Sequence, residues 1–373
     1  MRCANPFKYK GPLDPGHDSM ITITREEELN EIMKGISNQT YYALIAPRQM
    51  GKTTLLFQLI HDINNLLDDT IGIYITLEDL VNIDSVGFYQ SFVRKFITFL
   101  SSKFDIHPSS LREKAKEVRT NLDLKDFFLE MAKATLSHPS DSDDVIKFEK
   151  REGKKYKFVL MVDEVGAIPE DSIVEFVKTI RSIFIERLSM EGFKAYSIIL
   201  CGAADLATLT YGKTSPFNIS KVIQVRDFGF EEIYTWITDI FNYLGIVCDD
   251  SFYEQFFLQT QGHPYLSQML CSKMIEKCER EGRNKISSAD LTEAINNAVN
   301  GDINLLTVLE KITKDVLMKE MLLKILNNEP VPYSRAHTII YNLQLSGAIR
   351  KKDTVCVVKN PIYEKFFRHY FNL

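Results

Sequence analysis

The chain has 373 residues, 45% of them hydrophobic and 25% charged, and carries a net charge of −5 at neutral pH. This is ordinary globular composition, long enough for two or three domains with full cores, and no apolar run approaches the roughly 18 residues that a membrane span requires. The start, Met1-Arg2-Cys3-Ala4-Asn5-Pro6, lacks a secretory h-region, and the six cysteines (3, 201, 248, 271, 278 and 356) show no C-x-x-C spacing, so scattered thiols in a reducing cytoplasm are expected.

Residues 5–15 contain Pro6, Pro12 and Pro15. So much proline precludes regular structure, and an extended strap is expected, followed by a helix beginning near Arg25-Glu26-Glu27-Glu28-Leu29. Both are expected to flank the site formed next. Tyr41-Tyr42-Ala43-Leu44-Ile45 reads as a strand, and Leu55-Leu56-Phe57-Gln58-Leu59-Ile60 as the body of a helix. Between them lie Ala46-Pro47-Arg48-Gln49-Met50-Gly51-Lys52-Thr53-Thr54. A strand, a tight loop ending in Gly-Lys-Thr and a helix together make a phosphate-binding loop: backbone N–H groups wrap an anion that also faces the positive end of the helix dipole. Gly51 permits close backbone approach, Lys52 supplies a cation for the terminal phosphates, and the Thr53 hydroxyl is the expected magnesium ligand. Ala46 stands where G-x-x-x-x-G-K-[ST] has its first glycine, which the loop tolerates if Ala46 keeps a negative φ. A solvated turn that merely spells Gly-Lys-Thr is the competing interpretation.

Thr70–Leu77 reads as the next strand, Phe88–Phe104 as an amphipathic helix, 107–137 as helical, and 137–155 as a surface loop. Lys157-Phe158-Val159-Leu160-Met161-Val162-Asp163-Glu164 is a doubly buried strand that ends in paired carboxylates. Magnesium-assisted phosphoryl chemistry gives such an ending a purpose, with Asp163 holding the metal and Glu164 orienting the attacking water. That pairing favours hydrolysis over phosphate transfer to an acceptor, which has less use for a water-polarising glutamate. A helix near Ser172–Met190 follows, then strands at Tyr196–Cys201 and Val222–Val225. Alternating strands and helices predict a parallel sheet. Because a strand lies in chain order between the phosphate loop and the carboxylate strand, the additional-strand arrangement is expected.

After Phe230 strand signals stop, and 231–244, 251–261, 265–281 and 289–300 read as a helical lid bundle. Near the end, a helix around Ser334–Leu345 precedes Gly347 and an apolar hairpin with Lys352-Asp353 at its turn, the pattern of a winged helix-turn-helix. These signals divide the chain into a P-loop core with its strap over 1–226, a lid over 227–304 and a winged helix over 305–373. From Leu306 onward there are eleven Lys and Arg against six Asp and Glu, so this part is positive by five and the remainder negative by ten. Arg350, Lys351 and Lys352 form the clearest basic cluster for contacting nucleic-acid phosphates, although such an excess also suits a solvated helix face.

Pro47-Arg48-Gln49-Met50-Gly51-Lys52-Thr53, Ser215-Pro216-Phe217-Asn218-Ile219, Asp227-Phe228, Gly262-His263-Pro264-Tyr265-Leu266 and Asn360-Pro361-Ile362-Tyr363 together resemble the AAA-like domain family of prokaryotic P-loop ATPases. That family is similar to the signal-transduction ATPases with numerous domains (STAND) and to the archaeal Orc/Cdc6-like proteins. The resemblance spans nearly the whole chain and implies an α/β P-loop core, a helical lid, a winged helix and an ATP-dependent switch. It implies ATP and Mg2+ as ligands, Gly51, Lys52 and Thr53 as their contacts, Asp163 and Glu164 as the acidic pair, and Pro264 as a lid residue near adenine. A protein partner or self-association is implied, with DNA binding through the winged helix as the alternative. Phe228-Gly229-Phe230 departs from the family's more usual Phe-Thr. Related ATPases place a polar γ-phosphate sensor near Cys201 and Gly202; cysteine suits that role poorly, and Asp205 and Ser197 are the alternatives. Arg181, Arg187 and Arg226 are unranked candidates for an arginine finger. Arg48 and Gln49 are candidates for contacts to the lid or a neighbouring subunit, and His263 is either a helix cap or a phosphate sensor.

Overall fold

A computed structural model describes residues 5–80, 82–103, 108–136, 156–203, 206, 209, 215, 217–249 and 251–373. The expected surface loop at 137–155 and the candidate sensor Asp205 lie outside them. The chain divides into two compact units, one comprising Arg25–Ile45 and Lys52–Gln224, the other Met1–Thr24, Ala46–Gly51 and Val225–Leu373. No helix of the described residues is long and apolar enough to cross a membrane.

The first unit is built on five parallel strands, β1 (Tyr42–Ile45), β2 (Thr70–Thr76), β3 (Lys157–Asp163), β4 (Tyr196–Gly202) and β5 (Lys221–Gln224), in the order β2-β3-β4-β1-β5. Every residue of β1 and β4, and all but the first of β3, is buried. Such continuous apolar runs are what a parallel sheet covered by helices on both faces requires. The helices are α1 (Glu26–Ser37), α2 (Lys52–Leu66), α3 (Ser85–Lys103), α4 (Pro108–Glu117), α5 (Asn121–Leu136) and α6 (Glu170–Glu186). On α3, Phe88, Phe92 and Phe96 recur every fourth residue, so all three share one face and are fully buried. They meet Phe128 of α5, Phe176 of α6 and Phe158 of β3 edge to face. Each such ring contributes about 1.5–3 kcal/mol by leaving water. One additional strand does separate β1 from β3, but it is β4. The strand that chain order had placed between them, β2, lies at the sheet edge, because each crossover must return over a helix and adjacency in sequence does not fix adjacency in the sheet.

The second unit contains α7 (Phe230–Leu244), α8 (Ser251–Thr260), α9 (Pro264–Glu281), α10 (Ser288–Gly301), α11 (Ile303–Thr313), α12 (Val316–Leu326), α13 (Thr338–Ser346), the antiparallel hairpin β8 (Ile349–Lys352) and β9 (Val355–Val358), and α14 (Pro361–Phe371). Against expectation a short strand pair interrupts the helices: Val247-Cys248 (β6) runs parallel to Lys285-Ile286 (β7), too brief to leave a periodic signal. One apolar core joins α7–α10 to α11–α14 across residue 304. The strap also makes its contacts here, burying Phe7, Leu13 and Ile21 in that same core. Trp236 Nε1 and Gln268 Nε2 both donate to the Ile21 carbonyl, at 3.1 and 2.7 Å. The strap thus packs through Phe7, Leu13 and Ile21 with the helical unit, while the sequence pattern alone groups it with the P-loop core.

Candidate functional site

The chain leaves β1 at Ala46, which is buried and keeps its φ out of the left-handed region, so the missing glycine imposes no backbone strain. Gln49 and Gly51 have φ of 63° and 79°. Left-handed residues in so short a loop turn successive N–H groups toward one side, the geometry of an anion nest. Arg48 is exposed and Gln49 half-buried. Lys52 opens α2 and is only 6% exposed, an unusual burial for lysine, whose ammonium tolerates it only with negative partners. Thr54 is the third residue of the same helix.

Thr53 and Asp163 are 110 residues apart in sequence, yet Thr53 Oγ1 donates to Asp163 Oδ2 at 2.7 Å. The sheet brings them together: α2 starts where β1 ends, and β3 delivers Asp163 at its own carboxyl end with one strand between. Asp163 is 1% exposed. Its Oδ2 also accepts from the Tyr74 hydroxyl at 3.2 Å, and its Oδ1 from the Glu164 backbone N–H at 2.9 Å. Burial, and then the Asp163 charge, pushes the Tyr74 phenol far above its usual range, so it holds its proton and donates. The buried Cys201 thiol at the end of β4 is likewise pushed well up, first by burial and next by Asp163, despite the opposing charge of Lys52. It is a neutral thiol beside the carboxylate. Ser197, the alternative sensor, sits four residues back along β4 and donates to the Ile36 carbonyl, so its hydroxyl is turned to α1.

Glu164 occupies the left-handed region, with φ 55° and ψ 47°, and turns the chain from β3 into a 3-10 turn over Val165–Ala167. Its carboxylate has no hydrogen-bond partner among the described residues and is half-buried. A hard cation suits this donor set: the Thr53 hydroxyl and Asp163 carboxylate are adjacent oxygens. Thr53, Glu164 and Tyr74 thus all bond to the Asp163 carboxylate, and the Cys201 thiol lies within the influence of Asp163, Lys52 and Glu164, with Tyr74 and Cys201 brought in through sheet register. Tyr74 carries no local signal, being one of three hydroxyl-bearing residues, with Thr70 and Thr76, in its strand.

The arginine candidates are engaged locally. Arg181 Nη1 donates to the Ser215 carbonyl at 3.3 Å, Arg187 reaches the Gln39 carbonyl at 2.7 Å and stacks over Phe184, and Arg226 pairs with Glu232 at 2.6 Å. In the helical unit, Pro264 is the first residue of α9, where a missing N–H costs nothing. His263 precedes it as N-cap, its Nδ1 accepting from the Leu266 N–H at 3.5 Å. Burial, aided by the nearby Lys359 charge and opposed by Asp227, lowers its pKa to about 4, so it is neutral and serves as a cap. Around it two further sequence motifs converge: Phe228 N–H donates to the Gly262 carbonyl at 3.0 Å, Lys359 pairs with Asp227, Asn360 caps α14 through the Tyr363 N–H at 3.0 Å, and Tyr363 lies against the His263 ring.

The basic cluster of the hairpin is smaller than its sequence suggests. Arg350 Nε donates to the Lys359 carbonyl at 3.0 Å and its Nη2 approaches Gln261 at 3.5 Å, so this guanidinium is committed within the unit. Only Lys351 and Lys352 are exposed. The preceding helix α13 begins at Thr338, leaving Arg335 exposed in the turn before it and His337 exposed at its N-cap, while Gln344 accepts from Tyr333 at 2.6 Å.

The sequence pattern of the AAA-like domain family matches residues 11–369. The fold is similar to that of the Walker-type ATPase of Pyrococcus abyssi, with 16% identity, a TM-score of 0.65 and coverage of 97% of this chain and 99% of that one. It is also similar to the ORC2 protein of Aeropyrum pernix, solved as ADPNP-ADP complexes, with 12% identity, a TM-score of 0.52 and 99% of each chain covered. None of the curated proteins matches in sequence. A parallel sheet with one strand between the loop-bearing and acid-bearing strands, a buried Lys52, the Thr53–Asp163 pair and a match over nearly the whole length lead to one assignment: this chain belongs to the AAA-like domain family.

Proposed function

We propose that this chain is an ATP-binding and ATP-hydrolysing switch whose nucleotide state sets the position of its helical lid and of a C-terminal winged helix, and through them its binding to a protein partner or to itself. The observation that carries the reading is the 2.7 Å hydrogen bond from Thr53 to Asp163, which joins the two halves of a nucleotide-metal site. The loop from Ala46 to Thr54 binds phosphate through backbone N–H groups, and the Lys52 ammonium compensates charge on the terminal phosphates. Thr53 and Asp163 would hold Mg2+, which when bound neutralises phosphate charge. Glu164, whose carboxylate has no hydrogen-bond partner among the described residues, orients the attacking water and accepts its proton. Pro264 contributes an apolar surface for adenine. The fold shared with the Walker-type ATPase of Pyrococcus abyssi and with the nucleotide complexes of the Aeropyrum ORC2 protein supports this reading. A reducing cytoplasm suits the described cysteines, all of which are free. The work available equals the difference in nucleotide affinity between the two conformations.

Titration of Lys52→Ala with labelled ATP tests the loop; binding is expected to disappear, and undiminished affinity counts against the assignment. Glu164→Gln is expected to keep ATP while losing about 100-fold or more in turnover, and persistent hydrolysis identifies another water-activating group. A second reading, DNA binding set by nucleotide, has a specific support in the exposed Lys351, Lys352, Arg335 and His337 on the hairpin and around the start of the α13 helix. Changing Lys351 and Lys352 to Glu is expected to weaken duplex binding and flatten its salt dependence under that reading. No change favours the protein-partner role.

A further inference from the structure

Asp163 is a buried carboxylate with a neighbouring strand on each side, and the β2 neighbour places a phenol on it. Tyr74 Oη donates to Oδ2, the same oxygen that accepts from Thr53. The ring is fixed independently of that bond: Phe57, on the helix that carries Thr53, meets it edge to face at 5.1 Å between centroids. β2 and β3 are paired in register over seven residues, with Thr76 opposite Asp163, so the hydroxyl cannot drift along the strand. The hydroxyl is therefore presented to Oδ2 by helix packing on one side and by the strand ladder on the other. A carboxylate free to rotate about its terminal bond would satisfy Thr53 in several orientations. With Oδ1 committed to the Glu164 N–H and Oδ2 to two hydroxyls, its plane has one.

We infer that Tyr74 is a positioning residue for the divalent cation that Asp163 and Thr53 would hold, fixing the plane of the Asp163 carboxylate in the orientation in which Oδ2 accepts from Thr53. The inference rests on the nucleotide-site reading above. Partners that hydrogen-bond a metal-binding carboxylate typically change metal affinity by 10–100-fold when removed. Tyr74 does not touch the nucleotide in this role; it acts through Asp163.

The test uses the full chain and reads binding, not turnover. Mg2+ is titrated at fixed labelled ADP for the wild type, Tyr74→Phe and Thr53→Ala, with the ADP affinity in excess chelator and the melting temperature of the unliganded chain measured alongside. Tyr74→Phe retains the ring and its contact with Phe57. The expected result is a half-saturating Mg2+ concentration about tenfold higher in Tyr74→Phe, with metal-free ADP affinity changed by less than twofold and unliganded melting unchanged. Coincident Mg2+ curves for wild type and Tyr74→Phe, with Thr53→Ala shifted, overturn the role of Tyr74 and leave the site intact. Equal losses with and without Mg2+ also overturn it, because they mark a general packing defect. A wild-type chain that binds no nucleotide removes the site reading itself, and this inference with it.

Discussion

Glu164 sits in a backbone conformation that costs an L-residue about 1–2 kcal/mol, at the point where an apolar strand ends. Strain of this size persists where surrounding structure imposes it, and it is concentrated at working sites. Replacing Glu164 with Gly removes the strain, so Glu164→Gly is expected to raise unfolding stability by about 1 kcal/mol in urea while abolishing turnover; Glu164→Gln, which keeps the strain, is expected to lose turnover with stability unchanged. Equal stability of the two variants rules out the strain argument. Lys52, Thr53, Asp163 and Glu164 were legible in the sequence because each belongs to a short contiguous signal, a Gly-Lys-Thr loop or a strand ending in acids. Tyr74 was not, since its role depends on which strand lies beside β3 and on the ladder register. The environment of Arg350 is not legible for a related reason: adjacency to two lysines suggests a shared surface, whereas its Nε donates to the Lys359 carbonyl.

Between elements, the turn from α8 into α9 shows how motifs without catalytic chemistry hold the helical unit. Gly262 has φ 70°, and a Cβ there would meet the Phe228 carbonyl oxygen at 1.9 Å, so only glycine allows the segment after Asp227 to pass. His263 beside it is 1% exposed and must remain neutral to cap α9. Its folded pKa of about 4 lies below the unfolded value of 6.5, so the unfolded state binds the proton more readily. The stability this neutral histidine permits is therefore complete above pH 6.5 and declines as pH falls toward 4. At about 1.36 kcal/mol per unit the loss reaches roughly 3 kcal/mol. A urea-denaturation series from pH 7.5 to 4.5 is expected to show this decline, and His263→Asn, which can cap without titrating, is expected to flatten it. An equally steep slope in the variant removes His263 as its source. Helix spans were legible to within a few residues because their apolar periodicity is strong. The strand order was not, and the two-residue pair β6 and β7 was missed, since pairing partners are set by tertiary packing.

Over the whole molecule, the helical unit is discontinuous: its strap lies before residue 25 and most of its helices after residue 224, with Arg25–Ile45 and Lys52–Gln224 between them forming the other unit. Proline spacing revealed that residues 5–15 are irregular, but it held no information about where they pack. Phe7 answers that question, lying edge to face against Trp236 at 5.3 Å and Phe241 at 6.4 Å. Trp236 is the chain's single tryptophan, so its fluorescence reports on this core directly. Truncating a buried phenylalanine costs about 3–5 kcal/mol through lost transfer energy and the cavity left behind. Phe7→Ala is expected to lower the urea midpoint of the Trp236 transition accordingly and to shift its emission to the red as water reaches the indole. The hydrogen bond from Trp236 Nε1 to the Ile21 carbonyl spans 215 residues, so this core closes a long loop whose entropy its contacts must offset. An unchanged midpoint in Phe7→Ala means that the strap rests on the helices without stabilising them, and the unit's core is then supplied by residues after 224 alone.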